Sequence, residues 1–134
     1  VLFDTSVWID HLRAFDGRVG RLLLAKRVRT HPFVLGELML GGIRRLSPAI
    51  DLIRQLPEAP ECSHEEVVTL VRVHKLEGAA IGWVDAHLLA SAAAGGLRLL
   101  THDRRQGELA TRLGLWGPGD DAAIVPLREP EPRK

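Results

Sequence analysis

Val1-Leu2-Phe3 is apolar at every position and stops at Asp4. A strand with no polar face must be covered on both sides, and covered strands belong to parallel sheets sandwiched between helices. The following segments supply such layers. Val7, Trp8 and Leu12 fall near helical spacing within Thr5–Arg13, and Val19, Leu22, Leu23 and Leu24 do so within Arg18–Lys26, ahead of a short strand at Val28–Thr30. Pro32 permits a new helix start, and the almost wholly apolar Phe33–Gly42 ends on the Gly41-Gly42 pair. Ser47 as cap and Pro48 at the first helical position open a helix to about Leu56, with Pro57 and Pro60 bracketing its exit.

Ser63 and Glu66 have capping-box spacing, and Val67, Leu70, Val71 and His74 carry that helix to about Glu77. Trp83–Ala94 is small or apolar on all sides, the pattern of a helix packed in the middle of a domain. Leu97–Thr101 reads as the next strand, Arg104–Leu113 as an amphipathic helix closed by Gly114, and Ala122–Val125 as a last edge strand. Residues 127–134 mix Pro with charges and are expected to be a disordered tail after a single domain spanning 1–126. Strands alternating with helices predict an α/β sandwich around a mainly parallel sheet.

With 134 residues and 46% apolar content, the chain can bury one sizeable core. Its longest stretch free of Asp, Glu, Lys and Arg, Ala86–Leu97, is far short of the ~20 apolar residues of a membrane span, so no membrane partner is expected. Cys62 stands alone and no secretory leader pattern opens the chain, which predicts a reducing, cytoplasmic setting. A net charge of +1 leaves any attraction to nucleic acid to local patches.

The placing of certain carboxylates is the informative feature. Glu37 has Phe33, Val34, Leu40 and Gly41 at its helical neighbour offsets, and Asp85 has Ile81, Gly82, Leu88 and Leu89, so each acid shares a face with apolar residues. An ionised carboxylate buried without a partner costs several kcal/mol or is neutralised by a pKa shift, and a cation is the simplest compensation. Asp4 and Asp103 follow apolar runs, which puts them at or just past the carboxyl ends of strands, the edge where open α/β sheets bind ligands. The four acids are therefore expected to converge there within reach of one ion. Carboxylate oxygens without a nearby Lys suit Mg²⁺ or Mn²⁺. Each acid also has a bland reading: Asp4, Asp85 and Asp103 as helix caps, Glu37 in a structural ion pair.

Other chemistries are excluded. After His64-Glu65, Val68 stands where a zinc metalloprotease helix needs its second His, and neither a Walker loop nor a dinucleotide fingerprint is present. Asp4-Thr5-Ser6 resembles the nucleophile strand of haloacid-dehalogenase-like phosphatases, but Ser6 replaces the second Asp that would be the general acid. Arg13, Arg18, Arg21, Lys26, Arg27 and Arg29 face only Asp16 in opposition, so this basic stretch is a candidate for steering a phosphodiester backbone, or an ordinary solvated face. Arg44, Arg45, Arg104 and Arg105 are further RNA-binding candidates, nearer the acids in sequence.

Asp4-Thr5-Ser6-Val7-Trp8-Ile9-Asp10-His11, Gly36-Glu37-Leu38, Gly82-Trp83-Val84-Asp85-Ala86-His87-Leu88-Leu89-Ala90-Ser91-Ala92 and Thr101-His102-Asp103 resemble, in order and spacing, the PIN-domain toxins of the VapC type. The family normally carries a methionine and a residue or two before the position of Val1, so the chain is expected to begin just inside its first strand. Some relatives have another acid shortly after the last motif, whereas Arg104-Arg105-Gln106-Gly107 has none, which leaves that corner to Asp103. The resemblance implies a three-layer α/β/α fold with a central, mainly parallel sheet of about five strands. It further implies a Mg²⁺- or Mn²⁺-dependent endoribonuclease that is homodimeric and paired with a VapB-type antitoxin. Asp4, Glu37, Asp85 and Asp103 would be its metal-binding acids, with the hydroxyls of Ser6 and Thr101 in support. A small metal-dependent phosphatase and a non-catalytic RNA- or protein-binding module are the rival readings.

Overall fold

A computed structural model describes residues 1–41 and 47–117. Arg44 and Arg45, the strand expected at Ala122–Val125 and the tail 127–134 lie outside the described residues. The elements run in the order β1 (Leu2–Phe3), α1 (Thr5–Arg13), α2 (Gly17–Leu24), α3 (Pro32–Leu40), α4 (Ser47–Ile53), α5 (His64–Val73), α6 (Trp83–Gly95), β2 (Leu99–Leu100) and α7 (Arg104–Arg112).

The sheet is parallel, as the polar-free strands require, and it is small. Leu2 pairs with Leu99 and Phe3 with Leu100. Single parallel bridges flank this pair, Arg29 to Leu2 and Thr30 to Glu58 on one side and Trp116 to Leu99 on the other. The segment expected as a strand at Val28–Thr30 is thus reduced to bridges. Its neighbour explains why: Pro57 and Pro60 lack the N–H a longer ladder needs, so the pairing there consists of Thr30 N–H donating to Pro57 O and Ala59 N–H donating to Thr30 O, both at 2.8 Å.

Around this sheet lies one apolar core. Leu2, Phe3, Leu99 and Leu100 are buried, and on α6 every residue from Ala86 to Ala92 is buried, as its all-round apolar pattern predicts. Val67 of α5 packs on Ala86 and Ala90, where two small side chains let the helices approach. The Ser63–Glu66 capping box is formed, with Glu66 N–H donating to Ser63 Oγ at 3.1 Å and Ser63 N–H to Glu66 Oε1 at 2.8 Å. This helix stops at Val73 rather than Glu77, because Lys75 takes a left-handed conformation (φ 55°) and Leu76 N–H turns back to Val71 O at 2.8 Å.

α6 ends in the same way at Gly96, whose φ of 63° delivers the chain into β2. A Cβ there would meet nothing within 4 Å, so only backbone strain opposes a side chain. Gly96→Ala is expected to lower stability by about 1 kcal/mol, read by urea unfolding, with an unchanged m-value.

Candidate active site

The β1–β2 pairing sets Asp4 and Thr101, each the residue after its strand, side by side. Asp4 N–H donates to Leu100 O at 3.0 Å, which continues the ladder by one step. Asp4 is only 5% exposed, and its carboxylate is compensated on both oxygens. Oδ1 accepts from Ser6 N–H at 2.7 Å and from the Ser6 hydroxyl, and Oδ2 accepts from the Thr101 hydroxyl. The two hydroxyls are themselves tied to the next turn: Ser6 Oγ accepts from His102 N–H and Thr101 Oγ1 from Asp103 N–H, both at 3.0 Å. His102 Nδ1 also lies 2.6 Å from Asp10 Oδ2, one turn further along α1.

Three of the acids begin helices. Asp4 caps α1; Asp103 caps α7, its Oδ1 accepting from Gln106 N–H at 3.2 Å; Asp85 folds back onto the start of α6, its Oδ2 accepting from Gly82 N–H at 3.3 Å. Capping is therefore not an alternative to a shared site, because the same carboxylates do both. Asp4, Thr5, Ser6, Glu37, Asp85, Leu88 and Asp103 line one cleft of about 130 Å³.

Glu37 departs from expectation. Val34 and Leu38 form the buried stripe of α3, while Met39 and Leu40 are 61% and 89% exposed, so the apolar neighbours of Glu37 do not enclose it. It is exposed on the cleft side, where its Oε1 accepts from the Thr5 hydroxyl at 2.5 Å. The four carboxylates also fall short of a ready-made ion cage: among the described residues no three His, Cys, Asp or Glu side chains form a metal-ligand group. The hydrogen bonds explain this, since each acid leans toward its own protein donor and not toward a common point.

Electrostatics nonetheless couples them. Burial pushes the Asp85 carboxyl up to about 6, and the negative charges of Asp4, Asp103 and Glu37 push in the same direction, against the Gly82 hydrogen bond. Every charge identified as acting on Asp85 is negative. The main-chain carbonyl of Asp85 is held separately by Gln106 Nε2 at 2.8 Å. Gln106 was not singled out from sequence, although its place three residues after Asp103 repeats the capping-box spacing. Thr5 carried no sequence signal beyond its place next to Asp4.

Among the described residues, the candidate RNA-binding arginines Arg13, Arg18, Arg21, Arg104 and Arg105 do not line this cleft. Arg104 pairs with Glu108 at 3.0 Å and Arg105 Nη1 donates to Ala80 O at 3.5 Å, both from the first turn of α7 beside Asp103. Arg13 and Arg21 are exposed on α1 and α2, and Arg18 sits 3.6 Å from Asp16.

The Asp85 shift has a definite sign in stability. A carboxyl that titrates near 6 in the folded chain and near 3.8 when unfolded keeps its proton longer when folded, so stability falls as pH rises through that window and stays lower above it. In EDTA, Asp85→Asn is expected to match or exceed the parent above pH 6, by on the order of 2 kcal/mol at most because water screens a carboxyl this exposed, and the advantage should vanish near pH 4. Thermal melts of both proteins from pH 4 to 7 measure it.

Comparison with known proteins identifies the family. The PIN domain family matches residues 1–111. Ribonuclease VapC32 of Mycobacterium tuberculosis, in strain CDC 1551 / Oshkosh and in strain ATCC 25618 / H37Rv, is 46% identical over 106 residues, covering 78% of this chain and 86% of the relative. With that family match over most of its length and that identity across most of the relative, the chain belongs to the PIN-domain family, among the VapC-type ribonucleases.

Proposed function

We propose that this chain is the toxin of a toxin–antitoxin pair, an endoribonuclease that hydrolyses RNA phosphodiester bonds with Mg²⁺ or Mn²⁺ held by Asp4, Glu37, Asp85 and Asp103. The observation that carries the proposal is the cleft these acids share, where Asp85 is pushed up to about 6 by burial and by three like charges. A divalent cation relieves that repulsion, and an all-oxygen donor set fits a hard ion. When bound, such an ion supplies a water of lowered pKa and offsets charge on the leaving oxygen.

The chain's own residues supply the positioning. Ser6 and Thr101 fix both oxygens of Asp4, so its charge is delivered at a set place on the sheet edge. Asp85 and Asp103 are fixed at two helix starts, where the partial positive charge of the backbone N–H groups favours an anion. Glu37, exposed and anchored by Thr5, is the ligand with freedom to adjust. Arg104 and Arg105, in the first turn of α7 beside Asp103, would steer a phosphate backbone, with Arg13, Arg18 and Arg21 as further steering charges and Arg44 and Arg45 as candidates outside the described residues. Among the described residues the cleft has no cationic lining residue to meet the additional charge of a terminal phosphate, which favours a diester over a phosphomonoester.

A VapB-type antitoxin is the natural inhibitor of such a site, through an Arg or Lys set against the acids in competition with metal. We further read the chain as a homodimer. The extended lines at 58, 29–30, 2–3, 99–100 and 116 would form the five-stranded centre of a three-layer α/β/α domain within 1–126, with 127–134 as its tail.

Purified chain incubated with total RNA is expected to cut it in Mg²⁺ or Mn²⁺, to stop in EDTA, and to leave 5′-phosphate and 3′-hydroxyl ends. Asp85→Asn should lose cleavage by ~100-fold or more. Mg²⁺ at ten times its dissociation constant should add about 1.4 kcal/mol to parent stability and much less to the variant; equal activity and equal metal response in the two proteins would refute the assignment.

Thr101→Val keeps the side-chain shape but leaves Asp4 Oδ2 buried without its donor. A loss of about 1–3 kcal/mol in stability is expected, together with weakened metal dependence of cleavage, measured by urea unfolding and by titrating Mg²⁺ against rate.

A further inference from the structure

Trp83 opens α6 directly after Gly82, whose N–H donates to Asp85 Oδ2 at 3.3 Å, so its backbone adjoins a carboxylate of the cleft although its side chain does not line it. Trp83 is 44% exposed, although the rest of α6 is largely buried. Among the described residues the other large exposed apolar side chains are non-aromatic except Phe15, which packs on His11 beyond the end of α1, and none of them lines the cleft. Trp83 is held by two rings. His87 meets it at 5.1 Å between ring centroids with an interplanar angle of 85°, and His64 of α5 at 5.1 Å and 43°. His87 in turn meets Phe33 at 4.7 Å and 65°, and Phe33 lies one turn before Glu37 on α3. An aromatic ladder therefore joins the two helices that carry Glu37 and Asp85, and none of its ring pairs is stacked in parallel.

From this arrangement we propose that Trp83 is a base-stacking platform at the rim of the acidic cleft, taking an unpaired nucleobase of the RNA next to the bond that is cut. The inference rests on the ribonuclease reading, since a scissile phosphate in the cleft is what brings a neighbouring base to this rim. A part-exposed indole fits a nucleobase of any identity, because stacking reads the π-surface and not the hydrogen-bonding edge. The ladder adds register: the ring that receives the base is fixed by the same helices that place the carboxylates.

The test is a double-mutant cycle between protein and RNA. A single-stranded oligonucleotide spanning a mapped cleavage site is made with one abasic nucleotide at each position flanking the cut, and kcat and KM are measured for the parent, Trp83→Ala and Trp83→Phe. In the parent, removing one particular base should raise KM roughly 5- to 150-fold. Trp83→Ala should show the same loss with the intact oligonucleotide and no further loss at that position, with kcat much less affected, and Trp83→Phe should recover most of it. Equal losses at every position in parent and Trp83→Ala would overturn the platform. So would a Trp83→Ala protein whose sedimenting mass changes while the base dependence persists, because the ring would then serve contact between copies of the chain. Binding of the same oligonucleotides, measured in an Asp85→Asn background, separates this idea from the one beneath it. Coupling there without cleavage by the parent would overturn the ribonuclease reading and keep the platform, whereas cleavage without coupling would overturn the platform alone.

Discussion

The contact between Thr101 and Asp4 is the constraint from which the rest follows. It exists because two short strands run parallel with Leu2 opposite Leu99, so that the residues just past their ends share one edge. A buried carboxylate needs donors for both oxygens, and the chain finds them on both strands' exits: Ser6 after β1 and Thr101 after β2. Those hydroxyls then fix the turns that start α1 and α7, through His102 N–H and Asp103 N–H. One desolvated charge thus organises two helix starts, and with them two of the four acids of the cleft.

Holding several like charges in a small volume is unfavourable, and the structure distributes the cost. Each acid is given a backbone or hydroxyl donor of its own, three of them at helix starts where orphan N–H groups need an acceptor anyway. What these contacts do not offset remains visible at Asp85, whose carboxyl is raised by burial and by its three anionic neighbours. Residual repulsion of this kind is a reservoir of binding free energy for a cation.

Much of this was legible in the sequence. Polar-free Val1–Phe3 ending at Asp4 gave the parallel sheet and its ligand edge, and the all-round apolar α6 gave the central helix. The spacing of Asp4, Glu37, Asp85 and Asp103 resembled one family closely enough for the cleft to be anticipated. Less legible were features settled by contacts distant in sequence. The exposure of Glu37 depends on Met39 and Leu40 remaining uncovered, which helical periodicity alone cannot decide. The reduction of Val28–Thr30 to single bridges depends on a proline-flanked neighbour almost thirty residues on. Thr5 and Gln106 act through one hydrogen bond each, and a single hydrogen bond leaves no periodic trace.

The capping role of Asp4, Asp85 and Asp103 has an evolutionary corollary. Asn accepts from a helix N-terminus about as well as Asp does, whereas Ala does not. A lineage in which this cleft ceased to be needed would keep its fold most easily by exchanging these aspartates for asparagine, which removes the charge and spares the helix starts. Asparagine at two or more of these positions in a descendant would therefore mark a retired catalyst that still folds, and the sheet edge beneath would persist as a scaffold open to other uses.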